Sequence, residues 1–203
     1  YWLSKPLRTA IQHRHSVSVA GGTEAFRYSL DVNAAMQPGV MKESENQTKG
    51  VNFNMTYMKE KFTMRANVSL SESESKNSPY GSYSQYTRLN PYYIPVDANG
   101  KQMKVLDNNT VSGQSKVITN PLYDATVGIK DMTNSLSVTT SLSLEYMLLK
   151  NLRITEQFSY SRGMAGTDKF LPADHTSFEL EDDLTRKGSY FKSTGNMASW
   201  SSN

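Results

Sequence analysis

At 203 residues the chain has the length of one or two domains, yet only 37% of it is hydrophobic and its mean hydropathy is −0.58. No run nears the ~18 consecutive apolar residues of a spanning helix; that excludes a helical membrane protein but leaves a barrel open, because barrel strands alternate and keep a low mean hydropathy. A net charge of +3 with signs scattered carries no nucleic-acid footprint, and the lack of cysteine excludes a disulfide framework and a thiolate metal site.

The opening residues, Tyr1-Trp2-Leu3-Ser4-Lys5-Pro6, have no apolar core of signal-peptide length, and the chain reads as an excerpt whose export signal lies upstream. Period-2 alternation then recurs in segment after segment. Ile11, His13, His15, Val17 and Val19 alternate with Gln12, Arg14, Ser16 and Ser18. Phe26, Tyr28, Leu30, Val32, Ala34 and Met36 follow, then Val51, Phe53, Met55 and Tyr57, then Phe62, Met64, Ala66, Val68 and Leu70. Leu136, Val138, Leu142, Leu144, Tyr146 and Leu148 form a fifth set, and Leu152, Ile154, Phe158 and Tyr160 a sixth. A seventh segment, 189–200, is poorly patterned. A helix would repeat its apolar residues three and four apart, and Ser, Thr and Asn suit a wetted strand face better than a helix interior.

Tight connections at Gly21-Gly22-Thr23-Glu24, Lys59-Glu60-Lys61 and Leu149-Lys150-Asn151 alternate with longer ones at 37–49, 71–133 and 162–187. That alternation predicts an all-β, antiparallel, up-and-down transmembrane barrel, here an incomplete arc of about seven strands, with short turns at the periplasmic edge and long loops outside. Phe26, Tyr28, Tyr57, Phe62 and Tyr146 lie beside the tight turns on the apolar side, where an interfacial aromatic girdle would sit. Arg14, Arg27, Arg65 and Arg153 fall on the polar side, as they would when facing a lumen. Glu156 breaks the pattern, because parity puts it on the apolar side; a bulge that resets the register, or a site away from lipid, would account for it.

Little else points to chemistry. His13 and His15 share a strand face at a spacing a metal could use, but no third ligand accompanies them. His175 follows Asp174 with serines nearby, but no nucleophile elbow frames a triad, so no catalytic residues are assigned. Asp97-Ala98-Asn99-Gly100 lacks the acidic spacing of a calcium loop and reads as a turn. Glu179, Glu181, Asp182 and Asp183 read as a solvated acidic face.

Several stretches resemble one family in their order and spacing. Trp2-Leu3 with Leu7-Arg8-Thr9, then His15-Ser16-Val17-Ser18-Val19 with Gly21-Gly22, Tyr28-Ser29-Leu30 and Pro38-Gly39-Val40, are similar to the start of the barrel in SusC/RagA-type TonB-linked outer-membrane transporters. Tyr86, Asn90-Pro91-Tyr92-Tyr93, Asp97-Ala98-Asn99-Gly100-Lys101 and Asn120-Pro121-Leu122-Tyr123 resemble that family's long third loop, and Leu152-Arg153-Ile154 a later strand. The resemblance implies a larger barrel with an internal plug, residues 1–203 being a partial barrel domain without plug or N-terminal domain. It implies a place in the bacterial outer membrane, uptake of oligosaccharide or peptide, energy from the TonB complex through the plug, and a SusD-type surface lipoprotein as partner. No cofactor and no enzymatic step is implied. The long loop is then the expected substrate-binding element. Its Tyr80, Tyr83, Tyr86, Tyr92 and Tyr93 are the candidates, since aromatic faces stack on sugar rings and pack on peptides. The alternative is a surface adhesin or structural β protein that binds a partner through its loops and buries Leu30, Met55, Val68, Leu142 and Leu144 against a second sheet instead of lipid.

Overall fold

A computed structural model describes residues 1–111 and 114–203 of the chain. Seven long strands form one antiparallel sheet in simple sequence order. They are β1 (His13–Gly22), β2 (Phe26–Pro38), β3 (Glu45–Lys59), β4 (Phe62–Lys76), β7 (Lys130–Leu149), β8 (Leu152–Leu171) and β9 (Ser189–Ser202). The missing numbers belong to a separate hairpin, β5 (Val105–Val111) with β6 (Gln114–Thr119), which stands in the connection between β4 and β7 beside two short helices, α1 (Tyr83–Thr87) and α2 (Pro121–Asp124). The sheet is open and up-and-down, as the alternation required.

Pairing registers sort apolar and polar side chains onto opposite faces, with Glu156 and Arg162 as charged exceptions on the apolar side. Val17, Val32, Val51, Leu70 and Val138 lie directly opposite one another across five strands. Rows nearer the tight turns continue the apolar face: Leu30 meets Phe53, Phe53 meets Val68, and Tyr160 meets Trp200. The five rings beside the tight turns all fall on the three rows closest to those turns. Among the described residues nothing covers this face: Val17 is 65% exposed and Trp200 74%. On the other face Ser18, Asp31, Asn52, Ser69, Thr139, Ser161 and Ser199 make one row, and Ser29, Asn54, Asn67, Ser141, Ser159 and Ser201 the next. These side chains bond across strands: Asn67 Nδ2 donates to Asn54 Oδ1 at 2.7 Å, and Asn54 Nδ2 to Ser29 Oγ at 3.2 Å. Arg14, Arg27, Arg65 and Arg153 all stay on this polar face, and Glu145 bridges Arg65 (3.7 Å) and Arg153 (3.4 Å).

The hairpin turns have local causes. Gly22 has φ 135°, and a Cβ there would lie 2.0 Å from the Phe26 carbonyl oxygen. Gly21 lies beneath the Tyr28 ring, where a Cβ would come within 2.9 Å of the phenol oxygen. At the second turn Glu60 takes the left-handed φ of 52°.

Three expectations need correction. The first long connection, expected over 37–49, is residues 39–44, because β3 begins at Glu45. Likewise β4 runs to Lys76 and β8 to Leu171, beyond the apolar alternation. A backbone ladder needs no apolar side chain, and cross-strand charge such as Lys49 with Glu72 (3.6 Å) supports these polar extensions. No bulge resets the register at Glu156, which pairs with Leu144; the irregularity lies nearer the turn, between Met147 and Leu149.

The unpaired edges of β1 and β9 and the bare apolar face predict that residues 1–203 aggregate when made alone in plain buffer, as size-exclusion chromatography would report. In the full-length protein, Gly22→Ala is expected to cost about 1–3 kcal/mol and to shrink the folded band in an unheated gel. Gly163→Ala, where an added Cβ meets nothing within 4 Å, should leave that band unchanged.

Candidate functional site

The packed core of this chain lies in the connections at the end of the sheet away from the tight turns, not between strands. Trp2, Tyr86 and Leu122 bury to 3%, 1% and 8%, with Met41, Tyr80, Leu89, Tyr93 and Leu106 against them. They come from four separate stretches of the chain, so their contact fixes those stretches together.

The opening residues act as a strap. A 3-10 turn over Trp2–Ser4 drives the indole into the cluster, where its N–H donates to the Asn90 carbonyl at 3.0 Å. Pro6 is buried behind it, and its carbonyl accepts from the Lys42 N–H at 2.7 Å. Arg8 donates through its guanidinium to the carbonyls of Gly39 (3.1 Å) and Ser44 (2.6 Å), holding the 39–44 turn at two points. Ser78 Oγ bonds the Lys42 carbonyl at 2.6 Å, which joins the long connection to the same turn.

Two buried polar residues organise the rest. Asn120 is fully buried; its amide nitrogen reaches the carbonyls of Pro95 (3.1 Å) and Met103 (2.7 Å), while its Oδ1 caps α2 by accepting from the Leu122 N–H at 3.0 Å. Asp124, at the other end of α2, accepts from the Thr176 N–H (2.9 Å) and hydroxyl (2.6 Å), with His175 Nε2 at 3.7 Å. That set ties the long connection to the next one, residues 172–188. Lys104 and Glu179 add a 2.7 Å ion pair between the same two connections, so Glu179 is no part of a solvated acidic face. Asp183 caps the turn Leu184–Arg186, and its bonds from Thr185 hold its carboxyl below the usual carboxylate range.

The candidate tyrosines do different things. Tyr86 is the centre of the core: its hydroxyl donates to the Tyr80 carbonyl at 2.9 Å, and burial, then Tyr80 and Asp124, push its phenol far up. Tyr93 donates to Asp107 at 2.9 Å, and that bond, more than burial, raises its phenol. Tyr80 packs on the core with Lys42 over its ring at 5.7 Å, and it lines a cavity of about 480 Å³. Gln85, Asp124, Asp131, Lys169, His175 and Phe191 also line that cavity. Tyr83 is 40% exposed and Tyr92 89%. The structure therefore brings Tyr80, Tyr86 and Tyr93 together and leaves Tyr83 and Tyr92 to solvent. Asn120, Asp124 and Thr176 carried no chemical signal in the sequence beyond Asn-Pro opening a helix, and their role became visible only from the burial of their partners.

His13 and His15 stand opposite Met36 and Ala34 on the apolar face, and no group of three metal-capable side chains occurs among the described residues. Asp97 forms the expected turn: its Oδ1 accepts from the Asn99 and Lys101 N–H groups at 2.8 and 2.9 Å, with Gly100 at φ 80°.

No family model and no curated protein matches the sequence. Solved structures do match. A structure of the RagAB peptide importer in the "open-open" state aligns with 98% of this chain at a TM-score of 0.72 and 17% identity. A structure of the RagAB peptide transporter, and one of the importer in the "closed-closed" state, each align with 84% at a TM-score of 0.66, with 19% and 20% identity. The chain shares their fold. It spans about a fifth of their length, 20–22%.

Trp2→Ala in the full-length protein is expected to remove about 3–5 kcal/mol of local stability. It should speed proteolysis within 77–129 while leaving the strands folded. Thr176→Val should cost about 1–3 kcal/mol by orphaning an Asp124 oxygen and should expose 172–188 to the protease instead.

Proposed function

We propose that this chain is an early arc of the barrel wall, with its outward loops, of a nutrient transporter in the bacterial outer membrane that resembles the SusC/RagA type. One observation carries the reading: seven sequence-consecutive antiparallel strands, with all short turns at one end, present an uncovered apolar face on one side and a hydroxyl and amide wall on the other. A sandwich would bury the apolar face; a membrane-spanning barrel turns it to lipid and the polar face to the lumen. On β4 the apolar side runs from Phe62 to Leu70, eight steps of ~3.3 Å, which a ~40° tilt converts to about 20 Å of membrane depth.

In this reading cargo passes along the polar wall, no bond is made or broken, and energy comes from the TonB complex through a plug outside this chain. The RagAB likeness favours peptide over oligosaccharide as cargo. The polar face of the strands supports the same choice, because its rows of Ser, Thr and Asn, with Asp31, Arg27, Arg65 and Glu145 among them, suit peptide groups and charged termini. The loop core holds a receiving surface at the mouth, where a SusD-type lipoprotein would meet Tyr92, Ile94, Leu180 and Leu184, all exposed. Tyr80, Tyr83 and Tyr92 offer ring surface to cargo or partner, while Tyr86 and Tyr93 hold the loop in shape.

Cells lacking the full-length protein are expected to lose uptake of a labelled protein-digest peptide mixture, and cells lacking TonB to lose it equally. Tyr92→Ala should weaken uptake about two- to tenfold with the barrel still folded. A full-length protein that stays monomeric without detergent would sink the reading.

A further inference from the structure

The cavity of about 480 Å³ beneath the connections lies on the side of the sheet away from the uncovered apolar face. Four of its lining residues come from strands: Asp131 and Lys169, which pair with each other, Phe191 opposite Lys169, and Leu171 one row further out. All four share the parity of Thr139, Ser161 and Ser199, so they stand on the polar face, the side assigned above to the lumen. Tyr80, Asp124 and His175 complete the wall from the two connections, which Asp124 and Thr176 tie together. The connections therefore fold inward over the outermost rows of the polar face and enclose a hollow there. Its volume falls within the range of about 300–1,000 Å³ that takes a small ligand.

Here the polar face changes character. Phe191 is the one aromatic ring that the seven strands place on that side among the described residues, and Leu171 stands on the adjacent strand one row from it. Pro79 and Tyr80 add apolar surface from the long connection. The charged groups of the cavity are engaged within its wall. Asp131 Oδ2 accepts from Asn77 Nδ2 at 3.1 Å and lies 3.4 Å from Lys169 Nζ, while its Oδ1 is shut off from solvent. Both oxygens of Asp124 accept from Thr176, and His175 Nε2 lies 3.7 Å from Asp124 Oδ2 while its Nδ1 accepts from the Ser177 N–H at 3.0 Å. A sugar would bring hydroxyls on every edge and find these acceptors already taken. A charged group would have to break one of the pairs. An apolar side chain needs neither, and it removes the Phe191, Leu171 and Tyr80 surface from water. The next row inward, Thr133, Thr167 and Ser193, supplies hydroxyls within reach of a main chain entering beside it.

We propose that this luminal hollow is a subsite for a large apolar side chain, Phe or Leu, of a peptide passing along the polar wall, with Thr133, Thr167 and Ser193 bonding the peptide's main chain. The proposal rests on the transporter reading and narrows its cargo to peptides that carry such a residue.

The test is competition for uptake of a labelled peptide mixture by cells carrying the full-length protein, measured against cells that lack it. The competitors are unlabelled peptides of one Ser-, Ala- and Asn-based sequence with Phe, Leu, Ser, Lys or Asp at a single position, and a neutral oligosaccharide. The Phe and Leu peptides should compete at concentrations about tenfold or more below the Ser peptide, the scale of burying one large apolar side chain. Leu171→Ser with Phe191→Ser should bring the Phe and Ser peptides level, while uptake of the Ser peptide, labelled in its turn, persists. Ser189→Trp, which fills the hollow with Leu171 and Phe191 intact, should level them as well. The folded band in an unheated gel reports whether each variant folds, and the comparison of peptides on the wild type decides the matter without either. Equal competition by the Phe and Ser peptides, preference for the Lys or Asp peptide, stronger competition by the oligosaccharide, or a Phe preference unaltered in both folded variants would each overturn the subsite while leaving a transporter. Uptake of the mixture that does not depend on the protein would overturn the transporter reading and this subsite together.

Discussion

The antiparallel ladder is the constraint on which the rest depends. Each strand gives its backbone donors and acceptors to its neighbours, and the pleat sends successive side chains to opposite faces. Once β1 to β4 and β7 to β9 are paired in register, the composition of each face is set. One face takes Val17, Val32, Val51, Leu70 and Val138 in a line; the other takes Ser, Thr and Asn. A slip of one residue at any pair would exchange them, which would put Arg65 and Asn67 among the valines. Gly22 and Glu60 fix the register at two of the tight turns, so a few backbone angles near one edge determine what every later row presents.

The loops obey a different rule. They have no ladder to satisfy them, so they need their own buried hubs. Asn120 serves four partners with one side chain, and Asp124 takes two hydrogen bonds from Thr176. Such residues are costly to strand, since the loss of one partner leaves the other's desolvation uncompensated. Around them Trp2, Tyr86 and Leu122 supply the apolar contact that closes the cluster. The sheet thus places the connections, and this small core gives them shape.

How much of this could be read from residues alone follows from the same division. Strand faces were legible because alternation repeats over seven to thirteen residues in each of the first six segments, and Arg14, Arg27, Arg65 and Arg153 kept to one parity. Strand ends were not, because Asn46, Gln47 and Thr48 extend β3 by backbone pairing without any apolar mark. The β5–β6 hairpin was hidden for the same reason: Asp107 and Asn108 lack alternation. In the long connection only Tyr80, Tyr86 and Tyr93 of the five candidate tyrosines come together, and aromatic content could not tell Tyr86, a core residue, from Tyr92, which is 89% exposed. Side chains drawn from distant parts of the chain make that difference, and no local spacing records it.

Glu156 tests whether the two-faced wall is coherent. It lies on the apolar side of β8 with no bulge to excuse it, and Arg162 lies on the same side six residues on. Neither is near the middle of the band. Glu156 pairs with Leu144, one row from the Tyr146 and Ile154 row beside the tight turn, and Arg162 is on the highest apolar row, beside Val138 and Ala198. Charge on the lipid face of a barrel costs about 2–4 kcal/mol at the midplane for a basic residue and falls to about 0–1 near the interfaces, with acidic residues cheaper still. Both side chains can also reach outward along the apolar surface toward water. In the proposed barrel the exception is one of depth rather than of register: both charges lie toward the ends of the apolar band, and between them β8 presents Phe158 and Tyr160. The parity rule holds through both residues: on the wall proposed above, Arg162 stands on the outermost apolar row and Glu156 one row in from the tight-turn edge.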